Sequence, residues 1–340
     1  MSYPSLSIII PSHSQWPRLV RCLSRVCGEA PPGCEILVVD DGSANARVSQ
    51  VARQFRGVRV LRLPQRRGFC VAANAGIRAT CGEVVHLLND DTEVMPQWAE
   101  RALAAFASPR VGAVACTILR GEPGVGEPLV DSLGDGYDPG GFAWKCDAGR
   151  PIVRCNLQPR DVQAACAAAA FYRRRALLEV GLFAEPFTAY FEDVDLSLRL
   201  RRAGWRIRLI PSSIVYHIGS ASYGVPSRDG RLLRQQSRNE EWLFWRNRPE
   251  GAGWRLLARH AAVLLAKGLR RASRLELWPF LLGRLDAWRG LGQVCGSPDA
   301  QVRILPSDAR NRSTDSRTSA VASSGELQPC GSTVTPSSCL

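Results

Sequence analysis

The side chains with the most chemistry in them are acids grouped in three short runs, followed by one histidine. Asn89-Asp90-Asp91-Thr92 closes an apolar strand containing Val84, Val85, Leu87 and Leu88. Asp40-Asp41-Gly42-Ser43 closes another, and Glu192-Asp193-Val194-Asp195 opens a segment with Leu196, Leu200 and Ala203 on one helical face. His217 ends the run Ile214-Val215-Tyr216. Adjacent carboxylates at a strand end repel one another and lose hydration, so they require positive charge nearby. A divalent cation with oxygen ligands is the simplest source. Each run also has a plain structural use. Asp90 and Asp91 can cap a helix that begins near Met95-Pro96, acids at 192–195 suit the positive end of a helix dipole, and a single histidine after an apolar run is ordinarily a satisfied core residue. The elements decide between the two uses by bringing the runs together or keeping them apart.

Leu6, Ile8, Ile9 and Ile10 read as a first buried strand ending at Pro11. Trp16-Pro17 then opens a helix with Leu19, Val20, Leu23 and Val26 on its apolar side. Ile36, Leu37, Val38 and Val39 form a second strand, and the pattern continues as helix 47–55, strand 58–63, helix 68–79, strand 83–88, helix 98–107 and strand 111–119. This alternation predicts an α/β fold, a doubly wound and mostly parallel sheet with flanking helices. Ligands gather at the carboxyl ends of strands in such sheets, so Asp40-Asp41 and Asp90-Asp91 are expected to face one crevice. Residues 121–160 are rich in Gly, Pro and Asp and predict irregular structure with a short hairpin near 141–145, either a binding element or a solvated insertion. Small residues at 164–172 are expected to pack closely. Strands over 206–210 and from 214 complete the pattern.

The chain has 340 residues, 45% of them hydrophobic, enough for one large α/β domain with an appendage. Its formal charge of +13 asks for an acidic partner such as nucleotide phosphates or anionic lipid. No nucleic-acid recognition motif is present, so nucleic acid is not expected. The 12 cysteines are scattered without a Cys-x-x-Cys pair, which argues against zinc and for reduced thiols in a cytoplasmic protein. Met1-Ser2-Tyr3-Pro4 lacks the charged and apolar regions of a signal peptide, and no apolar run reaches the roughly 18–20 residues that span a bilayer. Residues 251–294 carry eight Lys/Arg against two acids among leucines and tryptophans, with a break expected at Gly268. That is the pattern of peripheral, interfacial membrane contact, here at the inner face; the alternative is a helical cap over the main domain. Residues after 297 are polar and predict a disordered tail. The expected division is a main domain over 1–250, a basic amphipathic helical region over 251–296 and the tail over 297–340.

Taken in order, these motifs resemble the family-2 glycosyltransferases of the GT-A, Rossmann-like fold, especially the rhamnosyltransferase-like bacterial members that build cell-surface polysaccharides. The matching pieces are Ile8-Ile9-Ile10-Pro11, Val38-Val39-Asp40-Asp41-Gly42-Ser43, Gly68-Phe69 with Ala73-Asn74-Ala75-Gly76, and Leu88-Asn89-Asp90-Asp91-Thr92. Phe191-Glu192-Asp193-Val194-Asp195-Leu196, Gly204-Trp205 and Tyr216-His217 follow. The resemblance implies that Asp40 contacts the nucleotide base near Pro11, with Asp41 supporting that loop and Asn74 and Asp90 also on the nucleotide side. It implies that Asp91 and His217 ligate Mg2+ or Mn2+, and that Asp193, beside Glu192, is the catalytic base. Arg173-Arg174-Arg175 and the arginines of 199–202 could neutralise a diphosphate or be solvated. Arg66 stands where the family has Asn, Asn89 where many members have Asp, and alanines with Cys166 where glycine and methionine are usual. These departures bear on the donor, for which the resemblance puts dTDP-rhamnose first with UDP- and GDP-sugars open.

The chemistry fits on its own terms. A nucleoside diphosphate leaves once its developing charge is stabilised, as a divalent metal does, and a sugar hydroxyl becomes a nucleophile as a carboxylate takes its proton. Like charges at Glu192 and Asp195 are expected to raise the pKa of Asp193. The sequence therefore points to an inverting, metal-dependent transfer of a sugar from a nucleotide-diphosphate sugar to a glycan or lipid-linked glycan acceptor. A noncatalytic sugar-nucleotide-binding module is the alternative. A nucleotidyltransferase is weaker, because no glycine-rich phosphate loop follows the first strand.

Overall fold

Apolar runs without alternation belong in strands covered on both faces, and Ile8, Ile9 and Ile10 are accordingly fully buried. The computed structural model describes residues 3–218, 229–249 and 251–295; the tail expected over 297–340 lies outside them. The first half runs β1 (Leu6–Ser12), α1 (Trp16–Glu29), β2 (Glu35–Asp40), α2 (Arg47–Ala52), β3 (Val58–Arg62), α3 (Phe69–Ala79), β4 (Val84–Leu88), β5 (Thr92–Val94), α4 (Trp98–Ala104) and β6 (Val111–Arg120). It continues with β7 (Val130–Ser132), the hairpin β8 (Asp135–Asp138) and β9 (Phe142–Lys145), β10 (Arg160–Asp161), β11 (Ala169–Arg173), α5 (Arg174–Glu179), α6 (Glu192–Arg202) and β12 (Arg206–His217). Three helices follow: α7 (Gly230–Asn247), α8 (Trp254–Ala272) and α9 (Leu277–Cys295).

Strands β3, β2, β1 and β4 lie side by side and parallel, then antiparallel β11 bridges to β6 and β12. The alanines of β11 and β6 face each other across this bridge, Ala170 against Ala115, and both are buried. Two apolar layers, one on each face, make up the core. The register brings the chemistry to one edge. Ser12 at the end of β1 pairs with Asp40 at the end of β2, and His217 at the end of β12 pairs with Thr92.

Several elements differ from the sequence pattern for identifiable reasons. The expected strands at 206–210 and from 214 are one strand, β12, whose register slips between Ile210 and Ile214. Pro211 lies in that gap, where a residue without an N–H is tolerated at a bulge. The break expected at Gly268 is absent. Helix α8 runs through it, and the chain turns instead at Leu275, whose φ is +59°. Glycines in α9 serve packing: a Cβ at Gly283 would fall 2.3 Å from the Arg234 carbonyl oxygen, and one at Gly290 would fall 2.7 Å from the Trp242 ring. Their bareness lets α9 lie close against α7.

Three groups of residues expected near the nucleotide have structural work elsewhere. Asn74 is buried in α3, where Nδ2 donates to the Phe183 carbonyl (2.9 Å) and to Glu185 (3.2 Å) while Oδ1 accepts from the Phe183 N–H at 3.0 Å. Arg173 donates to the carbonyls of Phe106, Ser108 and Val111, and Arg174 to that of Ile77. Antiparallel β11 places Arg173 beside Val84, at the start of β4 and so at the wrong end of the sheet for the acids. Arg199 is buried against Asp195 (2.8 Å) and the carbonyls of Val180 and Leu182. These side chains pin loops to the sheet.

His86 interrupts the apolar strand β4 and is fully buried. Its Nδ1 faces the Ala170 carbonyl at 3.1 Å, Trp98 Nε1 donates to its Nε2 at 3.2 Å, and its ring stacks on Phe171. That pattern requires the neutral ring with its proton on Nδ1, and burial lowers its pKa to about 3. The unfolded chain takes up a proton below about pH 6.5 and the fold does not, so this share of stability is present above that pH and is lost as pH falls toward 3. Urea unfolding at pH 7 and pH 5 is expected to show a loss of about 2 kcal/mol from this group, absent from the pH dependence of His86→Gln. Asn74→Ala is expected to cost about 2–3 kcal/mol of stability by stranding the Phe183 backbone, with nucleotide affinity of the folded fraction unchanged in calorimetry.

Candidate active site

A cleft of 680 Å³ opens at the carboxyl edge of the sheet, and Pro11, Asp41, Asp90, Asp91, Glu192, Asp193 and His217 all line it. The two acidic strand ends therefore share one crevice. Asp40 does not reach it. Its side chain is fully buried and accepts from the N–H groups of Ser43 (2.8 Å) and Ser49 (3.2 Å), from the Ser49 hydroxyl and from Arg62 (2.8 Å). With these partners the Asp40 carboxylate locks the turn that follows β2, and the expected contact with a nucleotide base is not among those the structure gives it. Asp41 holds the other side of the turn by accepting from the N–H groups of Arg67 (2.6 Å) and Gly68 (2.8 Å). Gly42 has φ +62°, and a Cβ there would fall 2.4 Å from the Gln65 backbone. Only glycine lets the 65–68 loop lie this close, with Arg66 and Arg67 on the cleft wall.

Charge in the cleft is organised around His217. Nε2 stands 3.1 Å from Asp91 Oδ1, and Nδ1 stands 3.1 Å from Asp131 Oδ2. Asp131 is fully buried in β7 and also accepts from Lys145 Nζ at 2.8 Å. Burial works against a proton on His217, but Asp131 and Asp91 outweigh it and raise its pKa to about 9. Asp131 is held down to about 2 against burial by His217 and Lys145. Asp91 is likewise lowered despite burial, by His217 and by Arg18, whose Nη1 lies 3.4 Å from Oδ2. Asp90 goes the other way: burial, with Asp91 beside it, raises it to about 7 although the Ser12 hydroxyl donates to it at 2.6 Å.

Glu192 and Asp193 of α6 line the same cleft. Asp193 Oδ2 accepts from the Ala167 N–H at 3.1 Å and Oδ1 from the Val194 N–H at 2.8 Å. Its pKa is raised by burial, rather than by the like charges expected from the sequence. Glu192 is pushed well up by burial and then by Asp193, and its Oε2 is buried without a hydrogen bond. Asp195 turns away to Arg199, Arg246 and Asn247. Ligand atoms of Asp135, Cys166 and Asp193 lie within 4.8 Å of one another; burial pushes the Cys166 thiol well up and Asp135 up to about 7. Lys145, whose Nζ donates to Asp131 at 2.8 Å, is held charged against burial by the acids around it and supplies positive charge here.

The turn into α6 is strained and clamped. Thr188, Tyr190 and Phe191 have φ of +62°, +73° and +66°, a conformation that costs non-glycine residues about 1–3 kcal/mol each. Asn239 of α7 donates to the carbonyls of Phe187 (2.8 Å), Ala189 (2.7 Å) and Tyr190 (3.0 Å), and Gln235 donates to Thr188 Oγ1 (2.9 Å) and the Ala189 carbonyl (3.1 Å). Helix α7 thus fixes the direction in which Glu192 and Asp193 enter the cleft. Asp131, Asp135, Lys145, Gln235 and Asn239 were not singled out from sequence. The hairpin near 141–145 was expected; that it ends on an inward lysine was not signalled by any spacing.

Asp91 Oδ1 is buried with no hydrogen bond of its own, its approach to His217 being outside hydrogen-bond geometry. A carboxylate oxygen and an imidazole nitrogen that share one spot in a cleft form a donor set suited to a divalent cation. Asp131 behind the imidazole is the outer partner that such a ligand ordinarily has.

A model of glycosyl transferase family 2 matches residues 7–181, and one of glycosyl transferase family group 2 matches residues 151–285. An N-acetylglucosaminyltransferase of Mesorhizobium japonicum is 28% identical over 69% of this chain and 55% of its own. An N-acetylglucosaminyl-diphospho-decaprenol L-rhamnosyltransferase of Mycobacterium tuberculosis is 27% identical over 80% of this chain and 96% of its own. Among solved structures, a mannosyltransferase from Pyrobaculum calidifontis in complex with GDP-Man and Mn2+ superposes with a TM-score of 0.54 at 18% identity, covering 88% of this chain and 78% of that one. Other curated relatives are longer, and the chain spans 27%, 55% and 18% of three of them. The mixed sheet, its acidic edge and the family match across half of the chain agree, and the chain belongs to glycosyl transferase family 2, with the GT-A fold.

Proposed function

We propose that this chain transfers a sugar from a nucleotide-diphosphate sugar to a hydroxyl of a glycan or lipid-linked glycan, with inversion at the anomeric carbon and with Mg2+ or Mn2+ bound. The observation that carries the reading is that Asp193 lines the same cleft as the Asp91–His217 pair. Asp91 and His217 would hold the cation, which when bound stabilises charge on the departing diphosphate as a Lewis acid. Asp131 keeps the imidazole oriented by taking its Nδ1 side, and Arg66 and Arg67 offer further positive charge on the donor's wall. Asp193, with its affinity for protons raised by burial, takes the proton of the attacking hydroxyl. Its two backbone hydrogen bonds hold the carboxylate still while leaving lone pairs for that proton. In this reading no covalent enzyme intermediate is formed: the acceptor oxygen bonds to the anomeric carbon as the bond to the diphosphate breaks.

The rhamnosyltransferase relative, whose length this chain nearly spans, supports rhamnose as the first sugar to try and a lipid-linked diphosphate glycan as the first acceptor. A panel of nucleotide sugars with Mn2+ or Mg2+, scored by release of nucleoside diphosphate, is expected to find one donor that turns over. Asp193→Asn is expected to lose about 10²–10⁴-fold in turnover with nucleotide affinity retained, and Asp91→Ala to lose both turnover and metal-dependent binding. Metal-dependent nucleotide binding with no turnover on any acceptor would make the chain a binding module instead. Asp131→Asn is expected to weaken Mn2+ binding of the folded protein, read by electron paramagnetic resonance, about 10–100-fold and also to lower the thermal transition, because Lys145 loses its buried carboxylate partner.

A further inference from the structure

Helices α8 and α9 are held to the rest of the protein by one side only. His260 of α8 stacks on Phe244 and contacts Glu241 at 3.2 Å and the Gly140 carbonyl at 2.7 Å. Arg284 of α9 reaches Glu240 (2.6 Å) and Glu241 (2.8 Å), and Phe280, Gly283 and Ala287 are buried. A helical cap over the main domain therefore describes the inner face. The outer face is different. Nine of the fifteen large apolar side chains exposed among the described residues lie between positions 254 and 288. Leu275, in the turn between the helices, is 95% exposed, and Trp254 and Trp278 are 74% and 70% exposed. Leu265 and Leu269 are one helical turn apart on α8, and Trp278 and Trp288 lie along α9. A patch of this kind on an otherwise polar surface marks a binding face.

We propose that the outer face of α8, α9 and the Leu275 turn docks on the surface of a membrane rich in anionic lipid. Charge selects this occupant over a protein. Arg255, Arg274 and Arg289 are exposed among the apolar residues, whereas the two acids of the stretch are neutralised, Glu276 by Arg271 and Asp286 by Arg234. Cationic residues beside tryptophan and leucine suit headgroup phosphates above an acyl boundary. No helix among the described residues is long and apolar enough to cross a membrane, so the helices lie on the surface. The docking face is separate from the cleft, so it stands or falls without the transfer reading.

The test is sedimentation of the full chain with vesicles, in the absence of donor and acceptor. Binding is expected to vesicles of phosphatidylglycerol with phosphatidylcholine, to fall about tenfold or more on pure phosphatidylcholine, and to weaken in about 0.5 M salt. Leu275→Ser with Trp278→Ser is expected to lose about tenfold or more of the binding, and both side chains are exposed enough for the fold to survive, which the thermal transition checks. Arg255→Glu with Arg274→Glu is expected to abolish the preference for anionic vesicles. Absence of vesicle binding, or equal binding by the serine variant, overturns the proposal. So does a concentration-dependent dimer, seen by light scattering, that the serine pair dissolves, since a second copy would then be the occupant. Loss of vesicle binding with nucleoside diphosphate release intact would separate this face from the chemistry.

Discussion

Burying carboxylates at the edge of a sheet is the constraint on which the site depends. Asp91, Asp131 and His217 form a chain in which one imidazole faces two acids, and Lys145 meets the inner one. Asp131 is fully buried, and that imidazole, that ammonium and Arg120, whose Nε lies 3.6 Å from Oδ1, together supply the positive charge that a buried carboxylate needs. The consequence is architectural. His217 must sit at the end of β12 beside β5, Asp131 on β7 beside β6, and Lys145 at the foot of the β8–β9 hairpin, so three separate strands are committed to one ionic cluster.

For Glu192 and Asp193 the solution is different. Glu192 and Asp193 have no cation in direct contact among the described residues and are instead pushed toward holding a proton by burial. One cleft thus contains acids held charged and acids held ready to take a proton, set apart by surroundings rather than by residue type. That division is what a transferase with a charged leaving group and a hydroxyl nucleophile needs.

Much of the fold was legible in the sequence because its strands are continuous apolar runs and its helices begin and end on recognisable residues. Ile8-Ile9-Ile10, Val38-Val39 and Leu87-Leu88 announce buried parallel strands by composition alone. Convergence of the acidic strand ends followed from the alternation of elements. Partnerships across long separations were not legible. Asp131 and His217 are 86 residues apart, and nothing local in Val130-Asp131-Ser132 tells a buried ionic partner from a loop acid. Asp40 and Asp41 look equivalent on paper; Ser43 and Ser49 make one of them structural, by geometry that appears only when the turn closes. The structural partner of Asn74 was equally out of reach, Phe183 lying 109 residues away.

Asn239 holds Phe187, Ala189 and Tyr190 in place from up to 52 residues further along the chain. During synthesis Asp91, Asp131 and the whole of the parallel sheet emerge before it. The strained turn before Glu192 and Asp193 therefore lacks the clamp of Gln235 and Asn239 until α7 has been made and has docked; before that it is tied to α3 by the Cys70 N–H, which donates to the Thr188 carbonyl at 3.1 Å. A nascent chain carrying every acid of the cleft is therefore still without the side chains that brace the entry to α6.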